Sequence, residues 1–221
     1  MSIKDKISEI TSSLPDGVRL VAVSKFHPAQ NVQEAYNAGQ RIFGESRVQE
    51  LVEKQAVLPS DIEWHFIGTL QINKVKYITP FISMIQSVDT LKLLKEIDRQ
   101  AEKSKRVINV LLEVHIAEEE SKHGFSIDEC KALFCGDLQT SFPHVKICGL
   151  MGMATFTDNI SQVEGEFKKL HCLFEEIKLL PQTDKTTFKE LSMGMSDDYK
   201  LAIGQGSTIV RIGTAIFGER H

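Results

Sequence analysis

Several large classes of protein are excluded by what this chain lacks. Its 221 residues hold four cysteines, Cys130, Cys135, Cys148 and Cys172, with no Cys-x-x-Cys pair and no histidine at metal-ligand spacing from any of them. That argues against a structural zinc site or a disulfide framework, and the seven dispersed histidines form no metal-binding run, so no metal is expected. No G-x-G-x-x-G follows the first strand, which argues against a dinucleotide fold. There is no surplus of positive charge: 26 basic side chains stand against 30 acidic ones, so nucleic acid is not an expected partner. The acidic run Glu118-Glu119-Glu120 reads as a solvated loop. No apolar run approaches the length of a membrane span. The first residues, Met1-Ser2-Ile3-Lys4-Asp5-Lys6, open a polar amphipathic helix instead of a signal peptide, and a cytoplasmic location with no membrane role is the expectation. No linker, repeat or low-complexity segment divides residues 1–221, which are read as a single domain.

What is present is a regular alternation. Val18 to Val23 is a nearly continuous apolar run, the signature of a strand buried on both faces, and it ends in Ser24-Lys25-Phe26-His27 before Pro28 opens a helix. A helix over about Lys4 to Ser13 precedes it. Then follow a helix from Pro28 to Ala38, a strand Arg41 to Phe43, a helix Glu45 to Ala56, a strand Asp61 to Phe66 and a helix from near Gln71. A strand Ile82 to Ser87 leads into the helix Thr90 to Lys103, whose Leu91, Leu94, Ile97 and Ala101 share one face. The strand Val107 to Val114, helix Ile127 to Phe134, strand Val145 to Leu150 and long helix Ile160 to Leu180 come next. Phe188 to Leu191 and Ser207 to Ile212 complete eight strands. Alternating strands and helices imply a parallel sheet, and eight units point to an α/β fold, a (β/α)8 TIM barrel. An open doubly wound sheet is the structural alternative. A closed barrel leaves no sheet edge for pairing, so a monomer is expected.

Lys25 is the residue to explain. It stands at the carboxyl end of a buried strand, where barrels place their ligands, and burial can lower a lysine pKa enough to leave an amine able to attack an aldehyde. The ordinary alternative is a lysine snorkelling into water. The ends of the seventh and eighth strands bear on the choice, because barrels commonly bind phosphate there. Ser192-Met193-Gly194 offers a hydroxyl and a flexible glycine; Arg211-Ile212-Gly213-Thr214 offers a glycine, a hydroxyl and backbone N–H groups. An aldehyde-trapping amine beside a phosphate cup suggests pyridoxal 5′-phosphate (PLP). If Gly213 faces the mouth, strand alternation turns Arg211 inward as well. Against the pyridine nitrogen, an always-protonated guanidinium keeps that nitrogen unprotonated and weakens the ring as an electron sink. Alternatively Arg211 pairs with a barrel carboxylate such as Glu113 or Glu190.

The strings VAVSKFHP, FGESRVQE, WHFIGTLQINK, LMGMA and LSMGMSDDYKLAIGQGSTIVRIGTAIFGER, agreeing in order nearly end to end, resemble the pyridoxal phosphate homeostasis protein family. Its members resemble the amino-terminal barrel of alanine racemase. The resemblance implies that Lys25 forms the internal aldimine, that Ser192, Gly213 and Thr214 hold the phosphate, and that Arg211 faces the pyridine nitrogen. It also implies a carrier that buffers PLP and delivers it to apo-enzymes, with no established reaction of its own. The chain departs from the family in reading Gly44-Glu45-Ser46 where many members have Gly-Glu-Asn, which puts a contact to the ring hydroxyl in doubt. His65, Gln71, Asn73 and Lys74 match the third string without an assigned role, and Lys74 is read as a helix surface charge. Racemases of the related fold take a second acid/base group from a further β-rich domain, and this sequence runs only to His221. Binding without turnover is therefore the expectation, so no catalytic residue is assigned. A small PLP-dependent amino-acid racemase or lyase is the first alternative, and a cofactor-free Schiff-base aldolase the second.

Overall fold

Eight parallel strands close into a barrel in strict chain order, β1 to β8, in a computed structural model that describes residues 1–118, 123–136 and 138–219. The strands are β1 (Arg19–Val23), β2 (Ile42–Glu45), β3 (Glu63–Phe66), β4 (Met84–Val88), β5 (Ile108–Glu113), β6 (Val145–Met151), β7 (Glu190–Ser192) and β8 (Ile209–Ile212). Closure runs between β8 and β1, in register from Arg19 opposite Ile209 to Ala22 opposite Ile212. The expected (β/α)8 barrel is therefore the fold, and the open sheet is excluded. Of the acidic run, Glu118 is exposed, while Glu119 and Glu120 lie outside the described residues.

Helices α1 (Ile3–Ser13), α2 (Ala29–Asn37), α3 (Val48–Val57), α4 (Val75–Ile78), α5 (Leu91–Lys103), α6 (Ile127–Phe134), α7 (Leu138–Ser141), α8 (Ile160–Leu179), α9 (Tyr199–Gly204) and α10 (Thr214–Phe217) surround the sheet. Several start where local hydrogen bonds dictate. Ser2 with Asp5 and Ser126 with Glu129 form capping boxes, and the Thr90 hydroxyl accepts the Leu93 N–H. The helix expected from Glu45 begins instead at Val48. Glu45 is the fully buried last residue of β2, committed to Ser24 and Lys54, and is withdrawn from the helix that follows. The helix expected from near Gln71 is a 3₁₀ turn, Ile72–Lys74, and the single turn α4, with Pro80 next beyond Thr79. The segment after β8, read as a loop suited to phosphate, forms the single turn α10.

Two apolar clusters result from strand alternation. The larger lies between sheet and helices, and a smaller one, Val21, Met84, Leu111, Cys148, Met151 and Ile209, fills the barrel interior. The bulge of β5 on β6 falls at Gly149, where a Cβ would sit 1.7 Å from the Glu190 carbonyl oxygen. Cys130 and Cys148 are free and buried, their thiols pushed up to about 12 and about 11 by burial. Among the described residues no helix is long and apolar enough to cross a membrane, and no group of three His, Cys, Asp or Glu is arranged to hold a metal ion.

Candidate ligand site at the carboxyl end of the barrel

A polar layer caps the apolar interior. The Arg211 guanidinium, nearly all buried, donates to Ser192 Oγ at 2.6 Å and to the Gly152 carbonyl at 3.0 Å. Ser192 Oγ in turn donates to Gln86 Oε1 at 2.7 Å, and the Gln86 amide meets His65 Nδ1 at 2.8 Å. The chain crosses the barrel, because β7 and β4 are not neighbours. It is also directional. Arginine only donates, so the hydroxyl must accept from it and donate onward, and the Gln86 amide then donates to His65. Burial drives the His65 pKa down to about 3, leaving a neutral ring able to accept at Nδ1. Burial lowers Arg211 to about 10, where it is still protonated at neutral pH. Neither carboxylate alternative bonds Arg211 directly among the described residues: Glu190 pairs with Arg19 at 2.7 Å, and Glu113 acts on Arg211 through space without an ion pair.

Above this layer opens a cavity of about 240 Å³, below the roughly 300–1,000 Å³ of pockets for drug-sized ligands and so suited to a small molecule. Lys25, Arg211, Gly213 and Thr214 all line it, so four of the five sequence-predicted residues are brought together. Lys25 is half-buried, on the turn that follows β1. His27, two residues on, stacks on Phe217 of α10 with ring centroids 5.2 Å apart, tying that turn to the segment after β8. Ser192 does not line the cavity; Ser196 does. The backbone N–H groups of Gly213 and Ala215 both point at Ser196 Oγ, at 3.3 and 3.5 Å. Two amides converging on one oxygen make a cradle receptive to an anion. Glycine keeps the backbone close beside it, since a Cβ on Gly213 would sit tightly against Val23, 3.1 Å from its carbonyl oxygen.

Three groups were missed from the sequence. Gln86 looked like one more residue of an apolar strand, and only the register shows it facing inward. Ser196 lay inside the SMGMS string, where Ser192 was preferred. The cluster of Glu45, Glu50 and Lys54 beneath the Lys25 turn was spread over two elements. Ser46 packs against the backbone of Gly68 and, among the described residues, does not line the cavity. Asn73 and Lys74 lie in the 3₁₀ turn, with Lys74 Nζ 5.7 Å from the Tyr77 ring centre.

Fold and cavity together define a closed (β/α)8 barrel whose candidate ligand groups stand on the segments after β1, β7 and β8. Residues 1–221 match the profile of the alanine racemase N-terminal domain. The chain belongs to this family, within which its curated relatives are pyridoxal phosphate homeostasis proteins. It is 41% identical over 203 residues to the one from Aquifex aeolicus, covering 91% of this chain and 87% of the relative. It is likewise 41% identical over 215 residues to the human protein, covering 91% and 76%. Among solved structures, PipY of Synechococcus elongatus PCC7942 is 36% identical, covering 98% of this chain and all of its own, with TM-scores of 0.91 without PLP and 0.88 with PLP bound. Alanine racemase from Bartonella henselae, 17% identical with a TM-score of 0.75, shares the fold over 99% of this chain and 58% of its own.

Proposed function

We propose that residues 1–221 form one barrel domain that binds PLP at this mouth, holds it as a Schiff base on Lys25, and serves intracellular PLP homeostasis by delivering it to apo-enzymes, without robust turnover of its own. The observation that carries the reading is the meeting of Lys25, Arg211 and the Ser196–Gly213 cradle in one cavity. The donor set fits the cofactor: an amine for the aldehyde, converging amides and hydroxyls for the phosphate, and a cation for the ring nitrogen. PLP bound to PipY and the names of the curated relatives support it.

Two roles are refined. The phosphate is assigned to Ser196, Gly213 and Thr214. Ser192, expected to hold it, has its oxygen and its proton committed to Arg211 and Gln86, and its part is to fix the guanidinium that faces the ring nitrogen. A protein of this kind works as a monomer in the cytoplasm and passes its cargo to other proteins.

The test is the visible spectrum of the purified protein with PLP, before and after borohydride, beside Lys25→Ala. A band that disappears on reduction and is absent in the variant is expected, with PLP transferred to an apo-enzyme on mixing. A colourless protein that takes up no PLP, trapped by borohydride only with a phosphorylated sugar, would replace this reading with the aldolase. Rapid exchange of amino-acid α-protons with solvent deuterium would replace the carrier with a racemase or lyase.

A further inference from the structure

Lys25 stands on a turn whose backbone is not relaxed. Phe26, the next residue, has φ +68°, a left-handed conformation that costs a residue with a side chain and persists only when its surroundings enforce it. The turn is closed by the His27 N–H donating to the Ser24 carbonyl at 3.1 Å, the Arg47 guanidinium lies over the Phe26 ring, and from α3 the Phe26 N–H is held by Glu50, donating to its Oε1 at 2.6 Å. The same oxygen accepts from Lys54 Nζ at 2.8 Å. Lys54 is buried, and its ammonium also donates to the Ser24 carbonyl at 2.7 Å and to Glu45 Oε1 at 2.6 Å. Three acceptors use all three of its protons. Ser24 closes the cluster by donating its hydroxyl to Glu45 Oε1 at 2.6 Å. Both residues that flank Lys25 are thus gripped by one connected set of side chains, buried at Lys54 and Glu45 and half-buried at Glu50, the backbone carbonyl on one side and the backbone N–H on the other.

Such a cluster is a poor way to add stability. Desolvation pushes the Glu45 carboxyl up, Lys54 pulls it down, and Glu45 Oε2 is buried with no hydrogen-bond partner. What the cluster supplies is placement. We propose that Glu45, Glu50 and Lys54 are positioning residues for Lys25: they hold the left-handed turn at Phe26 so that the amine meets an aldehyde whose phosphate is anchored on the neighbouring segment after β8. The inference rests on the reading of Lys25 as the aldehyde-trapping amine.

Positioning matters only for a reagent that is itself held in place. PLP is, and formaldehyde is not. The experiment compares the rate of adduct formation with PLP, followed by absorbance and borohydride trapping, with the rate of reductive methylation of Lys25 by formaldehyde, followed by peptide mass spectrometry. Glu50→Ala, checked as folded by its thermal melt, is expected to react about tenfold more slowly with PLP while its formaldehyde rate stays within about twofold. Glu50→Gln keeps an acceptor for the Phe26 N–H and is expected to retain most of the PLP rate. Asparagine tolerates positive φ better than phenylalanine. Phe26→Asn placed on Glu50→Ala is therefore expected to recover most of the lost rate. An unchanged PLP rate in folded Glu50→Ala, equal slowing with both reagents, or no recovery on adding Phe26→Asn would each overturn the proposal. A native chain in which PLP forms no adduct with Lys25 would instead remove the proposed function, and this inference with it.

Discussion

The two sides of the barrel mouth each bury a cation, and they treat it in opposite ways. On the amine side Lys54 is locked between Glu45 and Glu50 beneath the Lys25 turn, its charge spent inside the protein. On the neighbouring strand β8, Arg211 is held by a hydroxyl and a carbonyl, and among the described residues no carboxylate lies within ion-pair distance of it. The neutral chain through Ser192, Gln86 and His65 fixes the direction of the guanidinium without cancelling its charge. What a ligand meets is the charge left uncompensated, so Arg211 is presented to the cavity and Lys54 is not.

The difference is broken open most forcefully by removing each cation in turn. Lys54→Met leaves two carboxylates facing one another below the turn, and is expected to destabilise the fold by about 3–5 kcal/mol. For a chain of this length that lowers Tm by roughly 6–20 °C in a thermal melt. Arg211→Met removes a charge that Asp198 and Glu113 balance only through space, without a direct ion pair among the described residues, so its Tm is expected to fall less. Its PLP affinity, read by titration, is expected to drop by about 2–5 kcal/mol, thirtyfold or more. A chain that unfolds as readily without Arg211 as without Lys54 would erase the distinction.

The neutral chain and its neighbour Glu113 sharpen the comparison through pH. His65 is held neutral, at about 3, while the unfolded chain protonates near 6.5. The unfolded state then binds more protons, and stability falls as pH falls below 6.5, by about 2 kcal/mol at pH 5. Glu113 runs the other way: burial and Asp89 push its carboxyl up to about 6 from 4.5, so the native state binds more protons between those values. Its contribution is lost as pH rises through that window, again by about 2 kcal/mol. Denaturant melts are therefore expected to show His65→Asn gaining stability on acidification from 6.5 to 5 relative to the native chain, and Glu113→Gln losing it.

How far the sequence carried depended on whether a feature is local. β1, α5, β5 and α8 stand close to where periodicity and apolar runs put them, and the eight-fold alternation made the barrel legible. That Lys25, Arg211, Gly213 and Thr214 line one cavity could be anticipated because strand ends and turn chemistry are read within a few residues. The partner of Ser192 was not legible for the opposite reason: Gln86, to which its hydroxyl donates, lies 106 residues away across the barrel, and it is this contact that motivates the role proposed above. Glu45 was read as the start of a helix, where an acidic residue is favourable in the first turn. Contacts with Ser24 and Lys54, 21 and nine residues away, and pairing with β3 keep it at the strand end.

The smallest expected effect separates the two serines. Ser196 presents its oxygen to the Gly213 and Ala215 amides at the anion cradle, whereas Ser192 serves Arg211 from below. Removing a single hydroxyl costs about 0.5–1.5 kcal/mol, a factor of two to ten or so in affinity. The two losses are expected to fall on different parts of the ligand. Ser196→Ala weakens PLP but leaves pyridoxal, which lacks the phosphate, unchanged, so the preference between them shrinks. Ser192→Ala weakens both by the same factor, because both carry the ring nitrogen that Arg211 faces. Paired titrations with PLP and pyridoxal decide the matter: if Ser192→Ala reduces the preference and Ser196→Ala does not, the phosphate belongs to Ser192 and the original sequence expectation is restored.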